Sequence, residues 1–203
     1  QCAPHRPADL EPWREGLRTF DSKTLARARE KEAERIADSS DVLRVADRLY
    51  LALSPDRLAS LTDCRFGDGL KVHLYETYDE KGGFYVVATQ EREDFVHTLV
   101  MKLTGKTFRA LSWPAWSPDG KRFVHGRCDT LNRYDTAQIV RPVGGDLRVE
   151  ATIDLPCEAR NCAFAWESAT SLTTTCHAAG QPAATDESFD LVRKDGVWTV
   201  VRD

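Results

Sequence analysis

The side chains with the most chemistry to offer are five histidines and six cysteines, and neither set falls into a catalytic pattern. His5, His73, His97, His125 and His177 stand singly, without the close spacing of a helical or hairpin metal motif. His73, His97 and His125 fall in strand-like runs, where a hydrogen-bonded structural imidazole is expected rather than a general base or a ligand. The loop "DTLNRYD" offers oxygen side chains at Asp129, Asn132 and Asp135, but calcium loops alternate their donors more tightly. GxSxG, HExxH, P-loop and dinucleotide-binding glycine signatures are absent from the sequence. A carboxylate pair of the glycosidase kind cannot be located among the 32 acidic residues. The expectation is no catalytic residue, no cofactor and no metal.

The cysteines are Cys2, Cys64, Cys128, Cys157, Cys162 and Cys176. No CxxC pair occurs, and the closest spacing, "CEARNC", has no second pair near it, so three disulfides are favoured over zinc. Cys162 has two candidate partners, Cys157 in a small loop or Cys176 across a hairpin, and Cys2 is expected to tie the N-terminal segment to the body. The sequence opens "QCAPHRPADL" without an initiating methionine, which suggests a cleaved signal peptide. Together with the cysteines it predicts a periplasmic or secreted location. Gln1 ahead of Cys2 favours a soluble mature protein over a lipoprotein.

Binding is the other chemistry on offer. Tyrosine, tryptophan and arginine anchor protein interfaces. The residues of those types placed near turns are Tyr78, beside the charged turn "YDEKGGFY", Trp113, Arg133 and Tyr134. Tyr75 and Trp113 also suit partly buried packing. A formal net charge of −4 with both signs interspersed gives no basic face for nucleic acid. No apolar run approaches the roughly 20 residues a membrane helix needs. Hydrophobic residues at 41% and charged residues at 30% place the chain among globular domains.

Two regions must position these residues. Residues 1–40 read as an irregular arm followed by a surface helix in "DSKTLARAREKEAERIADSS", built of good helix formers. Its thin apolar stripe is Leu25, Ala28, Ala33 and Ile36, and its charges read as a solvated face. Residues 41–203 change to β-branched and aromatic runs between turn signals, as in an all-β body. Three segments there align: "LALSPDRLASLTDC", "PAWSPDGKRFVHGRC" and "FAWESATSLTTTC". Each runs from alanine and a large apolar residue through a polar turn and a strand to a cysteine. Each is followed by a hairpin turning at Gly82-Gly83, Gly144-Gly145 or Asp195-Gly196, dipeptides suited to tight β-turns. The first unit carries an extra hairpin, "DFVHTLVMKLTGKTFRAL". Trp116 and Trp166 are expected in the core between sheets.

The stretch "WSPDGKRFV", Trp116 to Val124, resembles the TolB-type, WD-like β-propeller repeat. The match is partial at Leu53 to Leu61, where glycine and lysine are missing, and degenerate at Trp166 to Leu172. The resemblance implies antiparallel, four-stranded blades and nothing about activity. Closed propellers use about four to eight blades. Three recognisable repeats therefore predict a mainly β partial or small propeller, or a stacked-sheet assembly.

The function expected from these features is a secreted or periplasmic protein-binding module. Its expected role is inhibitor or immunity-type protein, with a cell-wall hydrolase or toxin as partner. The alternatives are a small propeller-like hydrolase or lyase with a site at the centre of the blades, for which His73, His97 and His125 would have to converge, and a purely structural adaptor.

Overall fold

The only helix among the described residues, α1, spans Ser22–Ala37. The computed structural model describes residues 22–54, 56–66, 69–91, 94–128, 135–156, 161–177 and 186–202. One face of α1, carrying Leu25, Ala28, Arg29, Glu32, Arg35 and Ile36, is turned inward. These positions recur every three or four residues, as one helical face requires. Ala33, expected on that face, is exposed, while Glu32, expected among solvated charges, is 1% exposed. The face toward the protein is therefore half ionic.

The β body comprises four antiparallel sheets, and the chain divides into two compact units, Gln1–Arg109 and Ala110–Asp203. The first unit holds a three-stranded sheet of β1 (Val42–Val45), β2 (Arg48–Ser54) and β3 (Arg57–Thr62). It also holds a five-stranded sheet in sequence order: β4 (Cys64–Phe66), β5 (Gly69–Asp79), β6 (Phe84–Glu91), β7 (Asp94–Met101) and β8 (Thr107–Ala110). Val42, Leu49 and Leu51 of the smaller sheet pack with Tyr75, Tyr85, Val87 and Val100 of the larger. On the larger sheet's other face, Val72, Leu74 and Ala88 receive Leu25 and Ala28 of α1.

The first repeat differs from the expected four-stranded blade. Its second strand is interrupted at Asp63: β3 pairs with β2, whereas β4 pairs with β5 for three residues, Cys64 to Phe66. One repeat is thus shared between two sheets. A strand that changes sheets at a bend leaves part of its neighbour's edge unpaired.

The second unit follows the expected pattern. β9 (Ala115–Trp116), β10 (Phe123–Arg127), β11 (Thr136–Val143) and β12 (Asp146–Asp154) form one four-stranded meander. β13 (Asn161–Ser168), β14 (Ser171–His177), β15 (Glu187–Lys194) and β16 (Val197–Val201) form the other. The Ser-Pro-Asp-Gly turn is held by its own side chains. The Asp119 carboxylate accepts from the Ser117 hydroxyl at 2.7 Å and the Lys121 amide at 3.1 Å, and Gly120 takes φ 66°. These donors hold the Asp119 carboxyl below its usual range, the serine hydroxyl first.

Between the two meanders lies a core of Val124, Ile139, Ile153, Leu172, Phe189, Leu191 and Trp198, with Phe164 and Trp166 packed against it. The Trp166 indole N–H donates to the Ala115 carbonyl at 2.8 Å, joining the sheets. A Cβ at Gly126 would lie 2.6 Å from both the Phe164 ring and the Thr136 carbonyl, so only glycine permits this approach. Trp116 lies on the opposite face of β10 from Val124, half-buried against Phe123 at 5.1 Å. It does not share the core of Trp166.

The cysteine pairing also departs from both local options. Cys162 is bonded to Cys128, 34 residues away with Cα atoms 5.5 Å apart, and so links the two sheets. Cys162 and Cys176 face one another in register, yet each is bonded elsewhere. Cys64 and Cys176 are also oxidised, each in a disulfide of its own. Cys2 and Cys157 lie outside the described residues. Inner faces of packed sheets bring distant residues together, which spacing along the chain cannot report.

Candidate functional site

The interruption at Asp63 gives the first unit a charged interior. β5 pairs with β4 only as far as Lys71, so the outward N–H and C=O groups of His73 and Tyr75 have no strand beside them. Side chains take the place of that strand. The Asp63 carboxylate accepts the His73 amide at 2.8 Å, and Glu32 accepts the Tyr75 amide at 2.7 Å. Arg29 donates to the His73 carbonyl at 3.1 Å and to Glu32 at 2.7 Å, and it pairs with Asp63. Arg44 from β1 reaches Glu32 at 2.9 Å, Asp63 at 3.4 Å and the same His73 carbonyl.

Two guanidiniums and two carboxylates thus balance their charge while pairing a buried edge, as buried ions require. Burial pushes the Asp63 carboxyl up to about 6, against the opposing pull of Arg29, Arg44 and the His73 amide. Burial, followed by the charges of Lys71, Arg44 and Arg29, pushes His73 down to about 4. The cluster holds α1, β1 and β5 together, with the Arg44 Nε its one buried side-chain atom lacking a hydrogen-bond partner among the described residues.

Beside it, still within the first unit, an open groove of about 430 Å³ runs between the C-terminal end of α1 and the β5–β6 hairpin. Arg35, Asp38, Ser39, Ser40, Asp41, Tyr75, Glu76, Thr77, Tyr78, Glu80 and Tyr85 line it. A β-bulge builds its aromatic wall. The register runs Tyr75↔Val87, Thr77↔Val86 and Tyr78↔Tyr85, so Glu76 is the extra residue. In a regular strand Tyr75 and Tyr78 would point to opposite faces; the bulge brings both to the face that carries Tyr85. Glu76 is turned out to pair with Arg35 at 2.8 Å. Its carboxyl is raised, chiefly by burial.

The Tyr78 and Tyr85 rings lie 5.1 Å apart. The Lys102 ammonium sits 5.0 Å from the Tyr78 centroid and 5.9 Å from that of Tyr85, while bonding Asp41 at 2.6 Å. That hydrogen bond is the first cause of the raised Lys102 pKa. Tyr85 donates its hydroxyl to the Ala52 carbonyl, and burial drives its pKa to about 12. Asp38 and Glu80 are exposed and make no ion pair among the described residues.

Of the residues singled out from sequence, Tyr78 lies half-buried in this groove. Trp113, 49% exposed, stands in the second unit just before β9. Arg133 and Tyr134 lie outside the described residues, as do Asp129 and Asn132 of the oxygen-rich loop. His73 and His97 do not converge. His73 bonds Thr89 at 3.1 Å, and strand alternation puts His97 on the other face of the same sheet, edge-on to Phe95. His125 belongs to the second unit, where its Nδ1 accepts the Leu111 amide at 3.1 Å. No grouping of three or more potential metal ligands occurs among the described residues.

Sequence reasoning missed Arg29, Glu32, Arg44 and Asp63, as well as the acidic rim of the groove. One signal was available: Glu32 sits seven residues after Leu25 and four before Ile36, in line with the helix's apolar stripe. A lone glutamate on that stripe needs a buried partner. Among the described residues no helix is long and apolar enough to cross a membrane. No protein-family model, curated protein or solved structure matches the chain.

Proposed function

We propose that this chain is an extracytoplasmic protein-binding module that engages its partner through the tyrosine-walled groove of the first unit. The observation that carries the proposal is the groove itself. It is open, lined by three tyrosines and several charged side chains, and set between the end of α1 and the β5–β6 hairpin. Tyr75 and Tyr85 are buried, so Tyr78 is the tyrosine that can meet a partner, giving contact area for little lost side-chain freedom. Oxidised cysteines support a periplasmic or secreted location, since such bonds persist in oxidising compartments. The role that fits is inhibitor or immunity-type protein, directed at a cell-envelope hydrolase or toxin. The scaffold in this proposal is a set of TolB-type blades, a reading supported by the two four-stranded meanders.

The test is affinity capture by the oxidised protein from envelope and secreted extracts, read by mass spectrometry. A stoichiometric partner is expected, retained by Trp113→Ala and lost with Tyr78→Ala in protein whose thermal melt shows it folded. Retention by Tyr78→Ala would remove the groove from the interface, and capture of nothing across several growth conditions would overturn the proposal.

A further inference from the structure

We infer that β16 is a docking edge for a second copy of this chain, the two β16 strands pairing antiparallel about a two-fold axis at Thr199. The inference concerns the second unit and does not depend on the groove. The sheet edges of that unit are not alike. β9 has only two residues. β12 has an extra residue, Glu150, where the register steps from Ile139↔Ala151 to Val140↔Val149. β13 has one at Glu167, where it steps from Trp166↔Leu172 to Ser168↔Ser171. Short strands, bulges and edge charges are the devices that stop one sheet from adding to another. β16, Val-Trp-Thr-Val-Val, has none of them: its pairing with β15 is regular throughout, and it carries no charge, no proline and no glycine. Val197 is 62% exposed, Val200 36% and Val201 43%.

Self-complementarity names the occupant. The two-residue turn at Asp195-Gly196 makes Lys194↔Val197 a hydrogen-bonded pair, and alternation makes Val192↔Thr199 and Asp190↔Val201 the next ones. The N–H and C=O groups of Trp198 and Val200 therefore point away from β15, and no backbone partner meets them among the described residues. When two β16 strands run antiparallel, the register that pairs the whole strand sets Thr199 opposite its own copy. Trp198 then exchanges both backbone bonds with Val200 of the second copy, so the outward groups of each strand satisfy those of the other. On one face Val197 lies across from Val201 and threonine from threonine; on the other Val200 lies across from Trp198, so apolar meets apolar. The same register brings the exposed Arg202 of one copy beside the exposed Asp195 of the other, and neither makes an ion pair among the described residues. Apolar pairs and opposite charges recur at both ends because the strand meets itself, and a contact of this symmetry closes on two copies.

The experiment measures the mass of the intact oxidised protein by sedimentation equilibrium from micromolar to millimolar concentration, with amide exchange along β16 followed by NMR over the same range. A monomer–dimer equilibrium is expected. The Trp198 and Val200 amides should gain protection as the dimer forms, while those of Val197, Thr199 and Val201 are protected throughout. Val200→Pro removes an outward N–H and leaves the ladder with β15 its bonds, and should weaken the dimer about tenfold. Thr199→Lys sets two ammoniums across the axis from an exposed position, and should weaken it about fivefold in protein of unchanged melting temperature. That variant decides the matter if the proline variant does not fold. Val149→Lys, on the bulged β12 edge, should leave the dimer unchanged. A monomer at every concentration, or a dimer of equal strength in Thr199→Lys, would overturn the inference. So would protection of the Trp198 and Val200 amides that does not rise with concentration, which would put a segment of the same chain on the edge. Protection that appears only with a captured partner bound would give the edge to another protein, and would equally overturn it.

Discussion

The two units solve the same problem, covering the parts of a sheet that hydrogen bonding leaves exposed, with opposite chemistry. In the first, the unpaired stretch of β5 is closed by two carboxylates and two guanidiniums donated by α1, β1 and the residue at the strand break. In the second, both meanders are complete, and they are joined by an apolar core, one indole hydrogen bond and a disulfide. An apolar core loses stability roughly in proportion to the contacts removed. A buried ionic cluster behaves otherwise, because deleting one member strands the charges of the rest. The first unit should therefore be brittle to single substitutions and carry opposing pH dependences inside its cluster, and the second tolerant of single substitutions but dependent on oxidation.

The largest expected effect is in the ionic cluster. Glu32→Ala leaves Arg29 and Arg44 under-compensated and the Tyr75 amide without its acceptor, and should cost about 3–5 kcal/mol. Hydrogen exchange should rise across α1 and β5 while protection of β10–β15 stays unchanged. Loss of protection in both units would show that they unfold as one and dissolve the contrast. Next comes the disulfide. Cys128→Ser/Cys162→Ser opens a link across 34 residues and should cost the second unit about 2–4 kcal/mol by denaturant titration, with the first unit's transition unmoved.

The smallest effect is a slope, and it sharpens the comparison. Asp63, raised to about 6, holds a proton in the folded state that the unfolded chain releases, so it adds stability as pH falls from about 6 to 4. His73, lowered to about 4, withholds a proton that the unfolded chain takes up below about 6.5, so it subtracts stability as pH falls through the same window. The two oppose one another, and the first unit's stability should be nearly flat there. His73→Gln should make stability rise on acidification from pH 6 to 4, and Asp63→Asn should make it fall. Parallel profiles for both variants in pH-resolved urea titrations would contradict this assignment.

Much of the second unit was legible from the chain. Gly144-Gly145 and Asp195-Gly196 sit at positive φ in the tight turns expected of them, at 58°, 79°, 53° and 86° respectively. The Ser-Pro-Asp-Gly stretch forms its turn from its own side chains, so nothing distant was needed to read it. The first unit was legible only in part. Its hairpin at Gly82-Gly83 was found, but the break at Asp63 was not, since one aspartate inside a strand-like run carries no local mark of a change of partner. The groove was missed for a related reason. Tyr75 and Tyr78 are three residues apart, and only the bulge at Glu76, set by pairing with β6, turns them to one face.

By itself the sequence determined the β character, the helix, the turns and the repeat, because these depend on residues within a few positions of one another. The tertiary structure alone decided that Cys162 meets Cys128, that Glu32 is buried, and that three tyrosines face acidic side chains in one groove. Those outcomes depend on which sheet faces meet and on where a strand changes partner. Contacts of that kind join residues tens of positions apart, and local periodicity holds no record of them.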